Sequence, residues 1–311
     1  MNIQDLKFPI LQAPVEATAN LTAAVSNAGG MGSLGLAWAD ADTAAKLVDE
    51  VLSKTQSPFF ANFVLSFDPM AFDAVIEAGV PSITLSWGLS PDLINRAHRH
   101  DIQIGVQVGT VDGAKEAISN GADFVICQGI EAGGHVLSTT KLSILLPQVL
   151  ECANGTPVIA AGGLADKDDV KRMIYEGATA VMLGTRFVAT QESDAHPLYK
   201  EAILAARGSD TVSTTCFDGG WPNATHRVIR NQLFSSWESA GCPQPGGRPG
   251  ENQLLAGDST GYEIKKYDFS NPKKAFAISD VSDWCLYAGL GCDKINDVPS
   301  VTELIHRLWS G

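Results

Sequence analysis

Apolar residues in this chain gather in short unbroken runs. Each run is followed by a longer stretch in which they recur every three or four positions. The runs at 8–13, 31–36, 59–64, 82–85, 103–108, 124–127, 158–161 and 180–183 predict strands. Several, such as PVIAA and AVML, are apolar without alternation, as strands covered on both faces read, and this points to a parallel sheet. The stretches 21–27, 43–54, 70–78, 91–100, 111–120, 141–152, 168–175 and 197–206 predict helices. Three helices end alike, with EAG before Val80, SNG before Ala122 and YEG before Ala178. Glycine there closes a helix in the left-handed conformation and opens the turn into the next strand. Eight such units before residue 207 are spaced as in a closed (β/α)8 TIM barrel, with a doubly wound open sheet as the structural rival.

The texture changes after Arg207. Residues 210–221 read as a strand and turn, 224–240 as an amphipathic helix, and 242–267 as irregular, rich in Gly and Pro. A last helix pair, 281–290 and 301–309, returns to the barrel. The expected organisation is a barrel over 1–210, with 275–311 packing back on it, and a small additional domain over 211–274 near the barrel mouth.

Composition narrows the function classes. Of the 311 residues 45% are hydrophobic and 18% charged, which suits a large buried core and excludes a disordered chain. A formal net charge of −13 argues against a broad nucleic-acid or acidic-membrane surface, though a local pocket can still attract an anion. The six cysteines form no CxxC pair, so neither a disulfide framework nor a zinc site is expected. No leader-like segment opens the sequence, and no run approaches about 18 apolar residues. A cytoplasmic protein is expected, with no metal and no membrane or nucleic-acid partner; a homodimer is an open option.

In a β/α barrel the chemistry sits at the carboxyl ends of the strands. Gln12, Ala13 and Pro14 close the first strand, Asn62 the third, Gln107 the fifth and Gln128 the sixth. GIEAGGH follows the sixth, with Glu131, Gly133, Gly134 and His135. The seventh ends in AAGGLAD (Gly162, Gly163) and the eighth in MLGTRF (Met182, Leu183, Gly184, Thr185, Arg186). Glycines after strands seven and eight allow main-chain N–H groups to approach a phosphate closely, or they serve only as tight turns. His135, freed by two glycines, can point into the mouth and take a proton from a carbon acid; the plainer reading is a histidine on a surface loop. The amides Asn62, Gln107 and Gln128 suit a flavin edge or stitch loops together. Trp87 either walls a pocket or packs, Arg186 braces the phosphate loop or a carboxylate in preference to binding substrate, and His226, at the start of the 224–240 helix, either faces the site or, as the favoured reading, packs. GGMGSLG (29–35) falls between a helix and a strand, the wrong context for a dinucleotide fingerprint.

Taken together, PILQAP, AAVSNAGGMGSLG, ANF, LSWG, ADFVICQGIEAGGH, PVIAAGGLAD, AVMLGTRF, THRVIRNQ and LYAGLG resemble the nitronate monooxygenase family over nearly the whole chain. The resemblance implies an FMN-containing barrel with a smaller second domain. It implies flavin contacts at Asn62, Gln128, Gly133 and Gly163, with Met182 through Thr185 around the phosphate and His135 as catalytic base. It further implies oxidation of alkyl nitronates or nitroalkanes with O2 to a carbonyl compound and nitrite. The same scaffold also serves NAD(P)H-dependent reductases of enoyl thioesters or quinones. Two stretches depart from the common pattern: Val136-Leu137-Ser138 stands where Arg-Gly often follows the histidine, and Val15-Glu16 where a methionine and a glycine are common.

Overall fold

The glycine-punctuated strand–helix units close into a barrel in the computed structural model, which describes residues 3–257 and 263–310. Residues 258–262, inside the predicted irregular stretch 242–267, lie outside the described residues. The strands in chain order are β1 (Ile10–Gln12), β2 (Gly32–Gly35), β3 (Phe59–Val64), β4 (Ser82–Ser86), β5 (Gln103–Val108), β6 (Phe124–Gln128), β7 (Gly134–His135), β8 (Val158–Ala161) and β9 (Ala180–Leu183). They are followed by β10 (Thr211–Thr214), β11 (His226–Ile229), β12 (Leu254–Gly257) and β13 (Glu263–Lys265). The helices are α1 (Ala19–Asn27), α2 (Ala41–Lys54), α3 (Phe72–Glu77), α4 (Pro91–His98), α5 (Val111–Ser119) and α6 (Leu142–Cys152). Then come α7 (Lys167–Tyr175), α8 (Thr185–Val188), α9 (Pro197–Ala205), α10 (Gln232–Ser239) and α11 (Val301–Trp309).

Eight strands pair in parallel in the order β1-β9-β8-β6-β5-β4-β3-β2. A parallel bridge between Leu11 and Met31 joins the two ends, with Met31 N–H donating to the Ile10 carbonyl at 3.0 Å. The unbroken apolar strands are needed because both faces are covered. Leu11, Phe60, Phe124, Ile126, Ile159, Ala180 and Met182 fill the barrel interior, while Val125, Cys127, Val181 and Leu183 pack outward against the helices. Helix starts are set by side chains that accept a main-chain N–H: Asp40 for α2, Ser90 for α4, Thr110 for α5, Asp166 for α7 and Ser300 for α11.

Two predicted helices differ. Residues 224–240 divide into strand β11 and the shorter helix α10, which starts where Asn231 accepts the Phe234 N–H. β11 is buried along its whole length between two partners, antiparallel to β10 on one side and to β7 on the other, and that pairing overrides the helical periodicity. Residues 281–290 form no helix. Trp284, Cys285, Leu286 and Ala288 are buried in an extended path bridged through Tyr287 to Val228, and a 3-10 turn over Leu290–Lys294 follows. The 211–274 segment thus shares a three-stranded sheet with the loop after β6. Helix α11 packs against α1 and α7. The six cysteines are free, and among the described residues no helix is long and apolar enough to cross a membrane.

Candidate active site

A cavity of about 410 Å³ opens at the carboxyl ends of the barrel strands. Ala13, Pro14, Asn62, Gln107, Gln128, Gly133, Gly134, His135, Gly162, Gly163, Met182, Gly184 and Thr185 all line it. Gln12 and Leu183 do not. Side chains alternate along a strand, so the neighbours of the inward-facing Leu11 and Met182 face outward. The Gln12 amide is spent on the main chain of Ser33, accepting from its N–H at 3.2 Å and donating to its carbonyl at 3.3 Å. Leu183 is buried in the layer between sheet and helices.

His135 belongs to β7, which pairs through His135 with His226 and through Gly134 with Arg227. Gln128 holds the same strand from below, donating to the His135 carbonyl at 3.2 Å and accepting the Leu137 N–H at 2.9 Å. The Arg227 guanidinium adds a bond to the Ile130 carbonyl at 3.1 Å. The imidazole is walled by rings: Trp221 is stacked on it at 4.1 Å between centroids, with His226 at 5.2 Å and Trp87 at 6.1 Å. His135 Nε2 is shielded from solvent and has no hydrogen-bond partner among the described residues. Burial, with a smaller contribution from His226, lowers its pKa to about 3, so the ring is neutral at pH 7. His226 opens a strand rather than a helix, and it does pack. Its Nδ1 lies 2.9 Å from the Ala224 carbonyl, and its Nε2 accepts the Phe217 N–H at 3.3 Å, pinning both ends of the turn that carries Trp221.

The other end of the cavity is built of main chain. Gly163, at φ +68, brings the loop after β8 beside Gly184 and Thr185 after β9. None of the loop and turn hydrogen bonds of the described residues engages the N–H groups of Gly163, Gly184 or Thr185. The chain's last segment closes over them: Gly289 N–H donates to Thr185 Oγ1 at 3.0 Å, and a Cβ on Gly291 would run into the Gly163 carbonyl. Arg186 turns away, bonding Asp297 at 3.1 Å and the Ala189 carbonyl at 2.8 Å, so it braces a carboxylate. The amide of Gln107 makes no hydrogen bond among the described residues, and Asn62 uses only its NH2 group, on Thr84.

Unspent amides at one end and an unpartnered neutral histidine at the other fit a phosphorylated, ring-bearing cofactor. The chain matches the nitronate monooxygenase family over residues 1–74 and 70–311. It belongs to that family. A nitronate monooxygenase of Pseudomonas aeruginosa is 30% identical over 288 residues, 76% of this chain and 81% of that one. FabK from Thermotoga maritima shares 29% identity over 98% of this chain and 93% of its own, with a TM-score of 0.83. A nitroalkane oxidase of Streptomyces ansochromogenes, 24% identical with a TM-score of 0.76, has the same fold. The chain spans less of a Mycobacterium tuberculosis relative described as a monooxygenase: 33% identity over 166 residues, 43% of that protein's length.

The nitronate monooxygenase family is a flavoprotein family, and its departures in this chain fall unevenly around the cavity. Val15 and Glu16 line it. The half-buried Glu16 carboxylate accepts from Ser193 Oγ at 2.8 Å and from the Asp194 N–H, tying the 193–195 loop to the first strand; desolvation raises its pKa. Val136, Leu137 and Ser138 are not wall residues: Val136 donates its N–H to the Thr225 carbonyl, and Ser138 Oγ donates to the Gly109 carbonyl. Trp38, Trp221, Phe269, Tyr287, Gly289 and Gly291 also line the cavity, and sequence reasoning did not single them out. The signal lay in GGWP and LYAGLG, glycine-flanked aromatics far along the chain, but nothing local ties those segments to the barrel mouth.

Proposed function

We propose that this protein is an FMN-dependent nitronate monooxygenase, which oxidises alkyl nitronates with O2 to a carbonyl compound and nitrite. The observation that carries the reading is the buried, neutral, unpartnered Nε2 of His135 in a cavity whose far end offers free main-chain N–H groups. Gly163, Gly184 and Thr185 would hold the cofactor phosphate by close main-chain approach, which suits an anion without a neighbouring cation. Gln107 and the free side-chain carbonyl of Asn62 offer a donor and acceptors to the ring edge. Bound FMN supplies the electron-accepting centre and its reoxidation by O2.

The protein's own contribution is position, dryness and a proton site. With a neutral nitroalkane, Nε2 takes the α-proton, the C–H bond breaks and its electron pair moves onto the nitro group. A base whose pKa is about 3 is poorly matched to so weak a carbon acid. A preformed nitronate changes that balance, because an anion beside the imidazole raises its pKa and favours a charge-assisted hydrogen bond. Nitronates are therefore the better substrates.

Absorbance of the purified protein tests the cofactor, and anaerobic reduction tests the chemistry. Bleaching by a nitronate such as propionate 3-nitronate, with oxygen uptake in air, is the expected result. Rapid bleaching by NADH or NADPH alone would instead assign the site to the reductases of the same scaffold. A colourless protein that takes up no added FMN would remove both.

A further inference from the structure

The proposed chemistry needs His135 Nε2, yet that atom is covered. Trp221 covers one face of the same ring: its indole lies almost parallel to the imidazole, 28° between planes and 4.1 Å between centroids. Trp87 meets Trp221 edge-on at 4.8 Å and Phe67 does so at 5.1 Å. The charged residues of the cavity wall lie elsewhere: Glu16 binds Asp194, and Lys273 pairs with Ala195 next to it. The surroundings of His135 are therefore aromatic and uncharged, and a flat indole of the cavity wall already occupies one face of its ring.

We propose that Trp221 is the specificity-determining residue, and that the site takes nitronates bearing a flat apolar substituent, aryl nitronates above all. The proposal rests on the nitronate reading of the site. A substrate lying over that face of the imidazole takes the place of the indole, so binding removes the ring contacts that Trp221 makes with His135, Trp87 and Phe67. An aryl group can rebuild stacked and edge-on contacts with His135 and Trp87, whereas an ethyl group leaves them largely unmade. The main chain around Trp221 is held, with its N–H on the Asp218 carbonyl at 2.8 Å and the Gly219 N–H on the Tyr267 carbonyl at 2.9 Å, so the swing is one of the side chain. Gly219 and Gly220 (φ +102) precede it, Asn223 (φ +62) follows two residues later, and His226 anchors the turn's two ends.

Two measurements on the flavin-loaded enzyme test this. The first is kcat/KM for phenylnitromethane nitronate and for ethyl nitronate. The wild type is expected to prefer the aryl substrate by about tenfold or more. Trp221→Ala is expected to shrink that preference by a similar factor, mainly by raising the ethyl value, while Trp221→Phe retains it. The second is labelling of His135 by diethyl pyrocarbonate, followed by peptide mass spectrometry with the exposed His98 and His100 as internal references. His135 is expected to react slowly in the wild type and at least several-fold faster in Trp221→Ala. Trp221→Leu, which fills space without a flat face, gives the same readouts should the alanine variant not fold. Unchanged labelling together with an unchanged substrate ratio overturns the role of Trp221, and a wild type that prefers the ethyl substrate overturns the substrate class. A wild type that turns over no nitronate at all overturns the reading on which the proposal rests.

Discussion

His135 concentrates the residue-scale chemistry, and its pKa carries a consequence for pH. The folded value of about 3 lies below the ordinary histidine value of 6.5. Between them the unfolded chain binds more protons, so this group's contribution is fully present above pH 6.5 and is lost as pH falls toward 3. His226, also lowered by burial, acts in the same direction. Thermal melts from pH 7 to pH 4 are expected to show the steep loss in the wild type and a shallower one in His135→Asn. The same variant should keep its flavin and lose about 10²- to 10⁴-fold in kcat/KM on neutral nitroalkanes, with a smaller loss on preformed nitronates. Equal losses on both substrates would remove His135 as the proton acceptor. GGH after a strand was enough to single out this residue in the sequence. Its neutrality was not legible, because most of the rings that desolvate it come from residue 221 and beyond. Gln12 and Leu183 show the converse limit: a strand's last residues are easily found, but which of two neighbours faces inward depends on a one-residue register.

At the scale of elements, the phosphate cradle and the small sheet behind His135 each allow a clean test. Gly163 is a poor probe, since a Cβ there would sit 2.8 Å from Glu131 Cβ at a positive φ and disturb the fold itself. Gly184 is better. Its φ suits any residue, and an added Cβ would meet only Val15 and Ala13, at 3.4 and 3.5 Å. Gly184→Val is expected to melt within about 1 kcal/mol of the wild type yet to retain markedly less FMN, read as the ratio of flavin to protein absorbance. Undiminished flavin content would end the cradle argument. In the sheet, Arg227→Met takes the donor from the Ile130 carbonyl and from Thr211 Oγ1. A destabilisation of about 1–3 kcal/mol in urea is expected, together with lower kcat at normal flavin content, because the loop leading to β7 loses its tether. The barrel strands and most of its helices were legible, since each is set by its own periodicity and caps. Strand β11 was not: its partner β7 lies far away in sequence, and the buried run His226–Ile229 reads equally well as the first turn of a helix.

For the whole molecule, the decisive feature is that the chain's last segment comes back to finish a site begun by its first strand. Gly289 bonds Thr185, Leu290 N–H donates to the Glu131 carbonyl at 3.0 Å, and the 3-10 turn lays Lys294 against the start of α7. Lys294 Nζ reaches Asp169 at 2.8 Å and Asp166 at 3.2 Å, and Asp169 also accepts the Ala165 N–H beside the Gly163 loop. One ammonium therefore ties the returning segment to the loop that would hold the phosphate, although Lys294 lines no part of the cavity. Because Lys294 is partly exposed and Asp169 keeps its bond to Arg172, Lys294→Met should cost no more than about 1 kcal/mol of global stability. Its larger effect should be local: the segment over the cradle opens more often, so FMN dissociates several-fold faster while kcat of the flavin-saturated enzyme stays near normal. Flavin fluorescence recovery on dilution measures that rate. An unchanged rate, with the expected small loss in the melt, would mean that the returning segment covers the cradle without holding it closed.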